Sequence, residues 1–264
     1  KTAENYLISN IMEIEYISSR KNKYIAHVRA LASDGAYRRE CGEYLCDGIK
    51  TLREAISFGA EIVSVLWKER AETISELDGV RQYLAPAELF DYASPMKNSP
   101  GPLFAVRMRE HSGEKIKNAI VLEGVQDPGN VGTVIRTANA FGIGAVILTG
   151  ACADLYNPKT VRATMGAIFR QRVIELPLEA LGETLREQEL LLYGAALSES
   201  ACDFRHISLE NAAVAVGSEG SGLSAELLSL CARQLIIPMR PDSESLNAGV
   251  AASVIMWEMS RAIL

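Results

Sequence analysis

Short apolar runs alternate with longer amphipathic segments through the second half of the chain. After Lys117 the near-continuous apolar runs cover residues 119–125, 145–150, 189–197, 212–219 and 235–239. Strands of this composition are buried on both faces, as in a parallel sheet covered by helices. Because helical segments fit between the runs, the pattern predicts an α/β domain over residues 117–264.

The segment after the first apolar run has the features of a helix N-terminus. Asp127 can accept backbone hydrogen bonds as the N-cap, Pro128 suits the first helical position, and Gly142 can end the helix. The residues at helical spacing that would face the core are Val131, Val134, Ile135, Ala138 and Phe141. Arg136 lies off that stripe, and ligands of α/β sheets bind at this end of the strands.

Residues 1–110 mix polar helix-like segments with short strands. Apolar residues at helical spacing predict a helix over residues 43–58, and residues 61–67 and 102–108 are typical of strands. A second polar stretch, residues 109–117, predicts a boundary between two domains, 1–110 and 117–264. A chain of 264 residues accommodates two domains of ordinary size.

Composition narrows the class of protein. Hydrophobic content of 48% with 23% charged residues is typical of a globular protein. We expect no membrane span, since no run of 18 apolar residues occurs, and no secretion, since no basic region precedes an apolar one. Five scattered cysteines without a CxxC pair, and three isolated histidines, predict reduced buried thiols in a cytoplasmic protein without a metal site.

Charge is unevenly distributed along the chain. The net charge of −6 alone argues against a nucleic-acid partner. Between residues 17 and 39, however, six basic residues stand against one acid, and Tyr24 and Tyr37 lie among them. Such a stretch offers phosphate contacts and stacking faces together. A solvated helix face is the interpretation that this stretch favours when taken alone, and contact with RNA is the alternative.

The first segment with candidate chemistry runs from Glu123 to Arg136. It passes from a strand end through a glycine-bearing turn into a helix N-terminus, where backbone N–H groups and the helix dipole favour an anion such as an RNA phosphate. Asn130 and Arg136 add side-chain donors. A turn role for Asn130 and a surface role for Arg136 are the structural alternatives.

The second segment, residues 215–224, contains three glycines directly after an apolar run. Gly217 and Gly222 have the spacing of a P-loop, but Leu223 stands where the P-loop needs lysine, which argues against a nucleotide triphosphatase. Three glycines predict close approach of the backbone to a bulky ligand. The carboxylate of Glu219 favours a cationic ligand, and no GxGxxG follows a strand, so an NAD site is not indicated.

The third segment covers residues 236–252. A strand breaks at Pro238, and Ser245 is expected to cap a terminal helix that begins with small residues. The amide of Asn247 is well placed to contact a ligand, although Ser245 and Asn247 could also be a capping pair without function. Val250, Val254 and Trp257 form an apolar stripe that fits the core or a dimer face.

Taken in this order, the segments resemble the SpoU/TrmH family of RNA 2′-O-ribose methyltransferases, within the SPOUT class. The family's N-x-G-x-x-x-R element corresponds to Asn130, Gly132 and Arg136, its G-S-E-G-x-G-L-S element to residues 217–224, and its I-P-M…E-S-L-N element to residues 237–247. The resemblance is close over residues 117–264 and looser over the first half, where Cys46-Asp47-Gly48 replaces the usual Glu-Gly turn.

The resemblance implies an α/β fold with a C-terminal trefoil knot, a smaller N-terminal α/β RNA-binding domain, and a homodimer that binds S-adenosyl-L-methionine (AdoMet). The implied AdoMet-binding residues are Leu197, Gly217, Gly220, Ile237, Met239 and Leu246. The implied catalytic residues are Asn130, Arg136, Glu219, Ser245 and Asn247. The candidate RNA contacts are Arg20, Lys21, Lys23, Arg38, Arg39 and Arg162.

The predicted reaction is attack of a ribose 2′-hydroxyl of RNA on the methyl group of AdoMet, with the protein aligning the reactants. Arg136 is the candidate at the hydroxyl proton, and a phosphate anchor is its alternative role because a guanidinium normally stays protonated. Base methylation on the same fold and an inactive RNA-binding protein are the competing functions. The accessory domain favours ribosomal RNA over transfer RNA.

Overall fold

In a computed structural model of the chain, the described residues are 14–109, 115–198, 201–240 and 245–261. They form two compact units, one of residues 14–109 with 156–158 and one of residues 115–155 with 159–261. Residues 110–114 of the stretch predicted to be the domain boundary lie outside the described residues.

The first unit contains a five-stranded mixed sheet in the order β1-β4-β3-β5-β2. Its strands are β1 (Ile14–Tyr16), β2 (Glu43–Asp47), β3 (Ile62–Lys68), β4 (Arg81–Ala85) and β5 (Leu103–Arg107). Its helices are α1 (Lys23–Ser33), α2 (Gly35–Cys41), α3 (Ile49–Ser57) and α4 (Ala87–Ala93). β1, β4 and β3 are mutually parallel, whereas β5 is antiparallel to both of its neighbours.

The helix predicted over residues 43–58 is wrong in its first third. Residues 43–47 form β2, which pairs with β5, and Gly48 adopts a φ of 96° before α3 begins. Leu45 is buried in the core of the unit through strand pairing. Helical spacing of apolar residues was therefore coincidental across this turn, and long-range pairing overrides it.

The second unit contains a seven-stranded sheet in the order β10-β12-β9-β11-β6-β7-β8, and all its pairs are parallel. Its strands are β6 (Ala119–Glu123), β7 (Ala145–Thr149), β8 (Val173–Glu175), β9 (Leu191–Ala195), β10 (Cys202–Asp203), β11 (Ala212–Gly217) and β12 (Arg233–Ile236). Its helices are α5 (Pro128–Ala140), α6 (Pro158–Ala163), α7 (Leu178–Glu187), α8 (Ala225–Leu230) and α9 (Ala248–Ser260).

The predicted parallel sheet is confirmed: four of the five apolar runs each contain one of its strands, and the fifth, 235–239, overlaps the second half of β12. The central strands β6, β7 and β11 are buried along their whole length. The two strands absent from the prediction, β8 and β10, are the short strands at the two edges.

Helix α5 begins as predicted, because the Asp127 Oδ1 atom accepts a hydrogen bond from the Asn130 N–H at 2.8 Å. Helix α9 differs from the prediction. Its N-cap is Asn247, whose Oδ1 atom accepts from the Val250 N–H at 3.2 Å, and Ser245 lies two residues earlier. None of the described helices is both long and apolar enough to span a membrane.

Strand order places the polar segments together. β11 lies between β9 and β6, and Gly217 at the end of β11 is in register with Glu123 at the end of β6. The chain leaves β6 toward β7 on one side, whereas β9 and β12 lie on the other side of β11. The order therefore changes direction here, at the kind of position where parallel sheets bind ligands.

Candidate active site

A cavity of about 400 Å³ opens beyond the carboxyl ends of β9, β11 and β12. The predicted AdoMet-binding residues in its lining are Leu197, Gly217, Ile237, Met239 and Leu246. Ser245 lines the same cavity, while Gly220 lines a neighbouring one. Leu197 is 61% exposed, so an apolar surface is available to an organic ligand at the cavity mouth.

Residues 218–224, here called the glycine-rich loop, fold back onto the strand they follow. The Gly222 N–H donates to the Ser218 carbonyl at 2.9 Å. A Cβ atom on Gly217 would lie 2.1 Å from the carbonyl carbon of Gly222. The glycines were expected to admit a ligand, but at Gly217 the group that approaches closely is the backbone of the loop itself.

A second cavity of about 720 Å³ adjoins the first. The two share a wall formed by Ser218, Glu219, Ser221, Gly222 and Ala248. The remaining lining comes from the turn after β6 and the start of α5, including Gln126, Asp127 and Asn130. A transfer reaction needs two reactants side by side, and adjoining cavities with a common wall provide that arrangement.

Glu219 joins the three predicted segments at this wall. Its Oε1 atom accepts hydrogen bonds from the Asn130 side-chain amide at 3.1 Å, from the Ala248 N–H at 3.3 Å, and from the Asn247 side-chain amide. Three donors therefore converge on this one oxygen. The structure thus brings together three of the predicted catalytic residues, Asn130, Glu219 and Asn247, which are far apart in the chain.

Arg136 is not part of this cluster in the single chain. It is exposed on α5 and contributes to the lining of neither cavity. Six residues separate it from Asn130, which places it roughly 120° around the helix from that residue. A catalytic role for Arg136 therefore needs a group outside this chain, either the RNA or another subunit.

Glu123 and Ser224 belong to the site but were given no role in the sequence prediction. Glu123 lines the second cavity and is 8% exposed, and both of its carboxylate oxygens accept hydrogen bonds from Ser224. The signal available in the sequence was an acidic residue at the end of an apolar strand. Its partner is 101 residues away, so the pair could not be found from local spacing.

Five of the six candidate RNA contacts are exposed: Arg20, Lys21, Lys23, Arg39 and Arg162. Arg38 does not belong with them. It is 3% exposed, and its guanidinium donates to the Leu31 carbonyl at 2.7 Å, so it holds α1 and α2 together inside the first unit. The prediction of Arg38 as a surface contact is therefore wrong.

The tyrosines of the basic stretch also have interior contacts. Tyr24 stacks on Tyr83 with ring centroids 3.7 Å apart, and its hydroxyl donates to Ser64. Burial raises the pKa of the Tyr24 hydroxyl. The aromatic ring that accompanies the exposed arginines is instead Tyr92, with the guanidinium groups of Arg20 and Arg29 4.5 and 4.0 Å from its centroid.

All five cysteines are free. The prediction of buried thiols holds for Cys46, whereas the other four are partly exposed. Burial raises the pKa of the Cys231 thiol to about 11 and also raises that of Cys152, so these thiols stay protonated at neutral pH.

The fold and the paired cavities define an α/β enzyme with its site at a reversal of strand order. Residues 117–257 match the model of the SpoU rRNA Methylase family. The chain is 30% identical over 248 residues to the 23S rRNA (guanosine(2553)-2′-O)-methyltransferase RlmP of Bacillus subtilis, an alignment that covers 93% of this chain and 99% of the relative.

Solved structures agree with this match. The SpoU methyltransferase AviRb from Streptomyces viridochromogenes superposes with a TM-score of 0.80 at 25% identity, covering 91% of this chain and 97% of AviRb. The AdoMet-bound rRNA methyltransferase from Sinorhizobium meliloti has the same fold, with a TM-score of 0.85 at 23% identity over 95% of this chain and 99% of that one. The chain belongs to the SpoU rRNA methylase family, which confirms the predicted family and the predicted class of enzyme, an RNA methyltransferase.

Proposed function

We propose that the protein transfers the methyl group of AdoMet to a ribose 2′-hydroxyl of ribosomal RNA. The observation that carries the proposal is the Glu219 cluster on the wall between the two cavities. One cavity then holds the cofactor and the other the acceptor nucleotide. Names of relatives support this assignment: RlmP acts on a guanosine, and a 26% identical relative from Streptomyces viridochromogenes on uridine 2479, both in 23S rRNA and both at the 2′-oxygen.

The first cavity fits AdoMet. Its lining combines apolar side chains such as Leu197 and Met239 with residues of the glycine-rich loop, which suits a ligand with an adenine ring and a polar tail. Glu219 supplies a negative charge at the shared wall, where a sulfonium would be stabilised. When bound, AdoMet supplies an electrophilic methyl group.

Asn130, Glu219 and Asn247 hold the acceptor hydroxyl in position for transfer. Asn130 and Asn247 each donate to Glu219, which fixes both amides, and the Asn247 Oδ1 atom accepts from the Val250 N–H. Asn247 also caps α9, so its position is set by the helix. Because these polar groups are fixed before the substrate binds, they lower the entropy cost of bringing the hydroxyl to the methyl group.

Arg136 contacts the acceptor RNA in this proposal, at the hydroxyl proton or at a neighbouring phosphate. Its exposed guanidinium is free to form a bidentate contact with a phosphate. Arg136→Ala should abolish methyl transfer, and Arg136→Lys should fail as well if two parallel hydrogen bonds are needed. Full activity of Arg136→Ala on the true RNA would remove Arg136 from the site.

The first unit serves as the RNA-binding domain. Its exposed basic residues include Arg20, Lys21, Lys23 and Arg39 of the stretch 17–39, and Arg20 and Arg29 of the same stretch contact the Tyr92 ring. Arginine stacked on an aromatic ring and lysines nearby are the groups that single-stranded RNA contacts through phosphates and bases. Arg162, on α6, adds a basic contact from the second unit.

A cytoplasmic homodimer with a C-terminal trefoil knot completes the proposal. Val250 and Trp257 are 49% and 57% exposed on α9, and we assign this apolar surface to a second copy of the chain. The path of the chain supports the knot. Helix α9 follows β12, the second strand from one edge of the sheet, and yet packs against α5, the helix after β6. Free thiols fit a reducing compartment.

The test is a methylation assay on ribosomal RNA from a strain that lacks the gene. Purified protein and labelled AdoMet should yield a 2′-O-methylated nucleoside after complete digestion, and mapping the mark with and without the gene identifies the nucleotide. A base-methylated nucleoside would overturn the ribose assignment. Binding of RNA without any transfer would instead support the inactive RNA-binding protein.

A further inference from the structure

We infer that Glu123 is a positioning residue for methyl transfer, which holds the far end of the glycine-rich loop through Ser224. The inference rests on the proposed function in so far as that loop forms the wall between the cofactor and acceptor cavities. Glu123 is the last residue of β6 and is 8% exposed, although it lines the second cavity.

Both carboxylate oxygens of Glu123 accept a hydrogen bond from Ser224. The Ser224 N–H donates to Glu123 Oε2 at 2.8 Å, and the Ser224 hydroxyl donates to Glu123 Oε1 at 2.6 Å. The same Ser224 oxygen accepts from the Leu227 N–H at 3.1 Å, which makes it the N-cap of α8. One buried carboxylate therefore fixes both the end of the loop and the start of a helix.

The two ends of the loop are held at the same strand. Gly217, before the loop, pairs in register with Glu123, and Ser224, at its end, is bonded to the side chain of Glu123. Between these points the loop closes on itself through Ser218 and Gly222. Glu219 lies within this closed segment, so its contacts with Asn130 and Asn247 depend on both anchors.

Glu123 also borders the acceptor cavity, and this position defines a competing role for the carboxylate. Its charge could act directly on the bound nucleotide. The two roles predict different behaviour of glutamine at this position. A glutamine amide can accept from the Ser224 N–H and donate to the Ser224 hydroxyl oxygen, so it preserves the anchor and removes only the charge.

The experiment measures AdoMet affinity by calorimetry and loop exchange by hydrogen–deuterium mass spectrometry in a matched set of variants. Glu123→Ala should weaken AdoMet binding at least tenfold and speed amide exchange over residues 218–224. Glu123→Gln should stay within threefold of wild type in both measurements. Glu226→Ala, which removes an exposed carboxylate from the first turn of α8, is the control and should change neither.

Serine variants test the other side of the contact. Ser224→Ala should change both measurements in the same direction as Glu123→Ala, and Ser224→Thr, which keeps the hydroxyl, should restore them. The double variant Glu123→Ala/Ser224→Ala should be no worse than Glu123→Ala alone, because both changes break one interaction. If Glu123→Ala does not fold, Ser224→Ala and Ser224→Thr allow the same comparison of AdoMet affinity and loop exchange.

Three results would overturn the inference: unchanged loop exchange in Glu123→Ala, a glutamine variant as defective as alanine, or additive effects in the double variant. The proposed function fails in a different way. If the wild-type chain bound no AdoMet, the exchange measurement would still decide whether Glu123 anchors the loop.

Discussion

At the scale of single residues, the oxygen and the nitrogen of the Asn247 side-chain amide bind different partners. Its oxygen caps α9 by accepting from the Val250 N–H, and its nitrogen donates to Glu219. Asn247→Asp should keep the cap, since Asn and Asp are equivalent N-caps. It should lower methyl transfer at least a hundredfold at pH 7–8, because two carboxylates would then face each other.

The pH dependence gives this variant a signature. Repulsion by Glu219 raises the folded-state pKa of the introduced carboxyl above its unfolded value, so the deficit in the free energy of unfolding is present at high pH and shrinks as the pH falls through that pKa. Since both side chains are exposed, the deficit at pH 8 should be at most about 1 kcal/mol. A deficit of that size is a pKa shift of less than about one unit from the ordinary aspartate value, so it is lost only near pH 4. Urea unfolding at pH 4 and pH 8 measures it, and an equal deficit at both pH values would contradict the repulsion.

Gly217, just before the glycine-rich loop, and Gly220, within it, should respond oppositely to alanine. A Cβ on Gly217 meets the Gly222 backbone, whereas a Cβ on Gly220 meets nothing within 4 Å. Gly217→Ala should destabilise the protein by about 2–3 kcal/mol and abolish AdoMet binding. Gly220→Ala should leave thermal stability and AdoMet affinity unchanged, which makes it the matched control. Equal tolerance at both positions would mean that the loop is not folded back against β11.

At the scale of elements, the sequence predicts buried parallel strands well and turns between elements poorly. Apolar runs located β6, β7, β9, β11 and β12, because strands covered on both faces need continuous apolar residues. The edge strands β8 and β10 have three and two residues, too few for a pattern. β2 was mistaken for a helix because its partner β5 follows 56 residues later, as the register of Asp47 with Leu103 shows.

Helices α5 and α6 pack closely through one glycine. A Cβ on Gly132 would lie 2.4 Å from the Ala163 side chain and 2.7 Å from the Thr160 carbonyl oxygen. Alanine favours helix formation by up to about 1 kcal/mol over glycine, but overpacking typically costs about 1–3 kcal/mol. Gly132→Ala should therefore lower the melting temperature. Thr133→Ala, at the next and exposed position of the same helix, is the control and should leave the melting temperature nearly unchanged. A higher melting temperature for Gly132→Ala would show that the two helices separate easily.

At the scale of the whole molecule, the active site depends on which strands are neighbours. Asn130 and Glu219 are 89 residues apart, and Glu123 and Ser224 are 101 residues apart. Motif order in the sequence indicated the family and the residues Asn130, Glu219 and Asn247. It could not supply the Glu123 anchor, the interior position of Arg38, or the cap on α9, because each depends on contacts that only the folded chain defines.

The position of Arg136 leads to a prediction about assembly. Arg136 lines neither cavity of its own chain, and it lies on α5, which packs against α9 with its exposed Val250 and Trp257. If two copies associate through this face, the partner's α5 lies beside the cavities and its guanidinium can reach the acceptor. Trp257→Glu should then produce a monomer in sedimentation equilibrium, because a charge would be desolvated in an apolar interface.

The Trp257→Glu monomer should bind AdoMet within about threefold of wild type, since neither Val250 nor Trp257 is among the lining residues of the first cavity. Its methyl transfer should fall to the level of Arg136→Ala. Leu230→Glu, at an exposed apolar position on α8, is the control and should remain dimeric and active. Mixing Arg136→Ala with Asn247→Ala subunits should restore activity, because one site per mixed dimer then has both residues. A fully active Trp257→Glu monomer would instead place Arg136 in the site of its own chain.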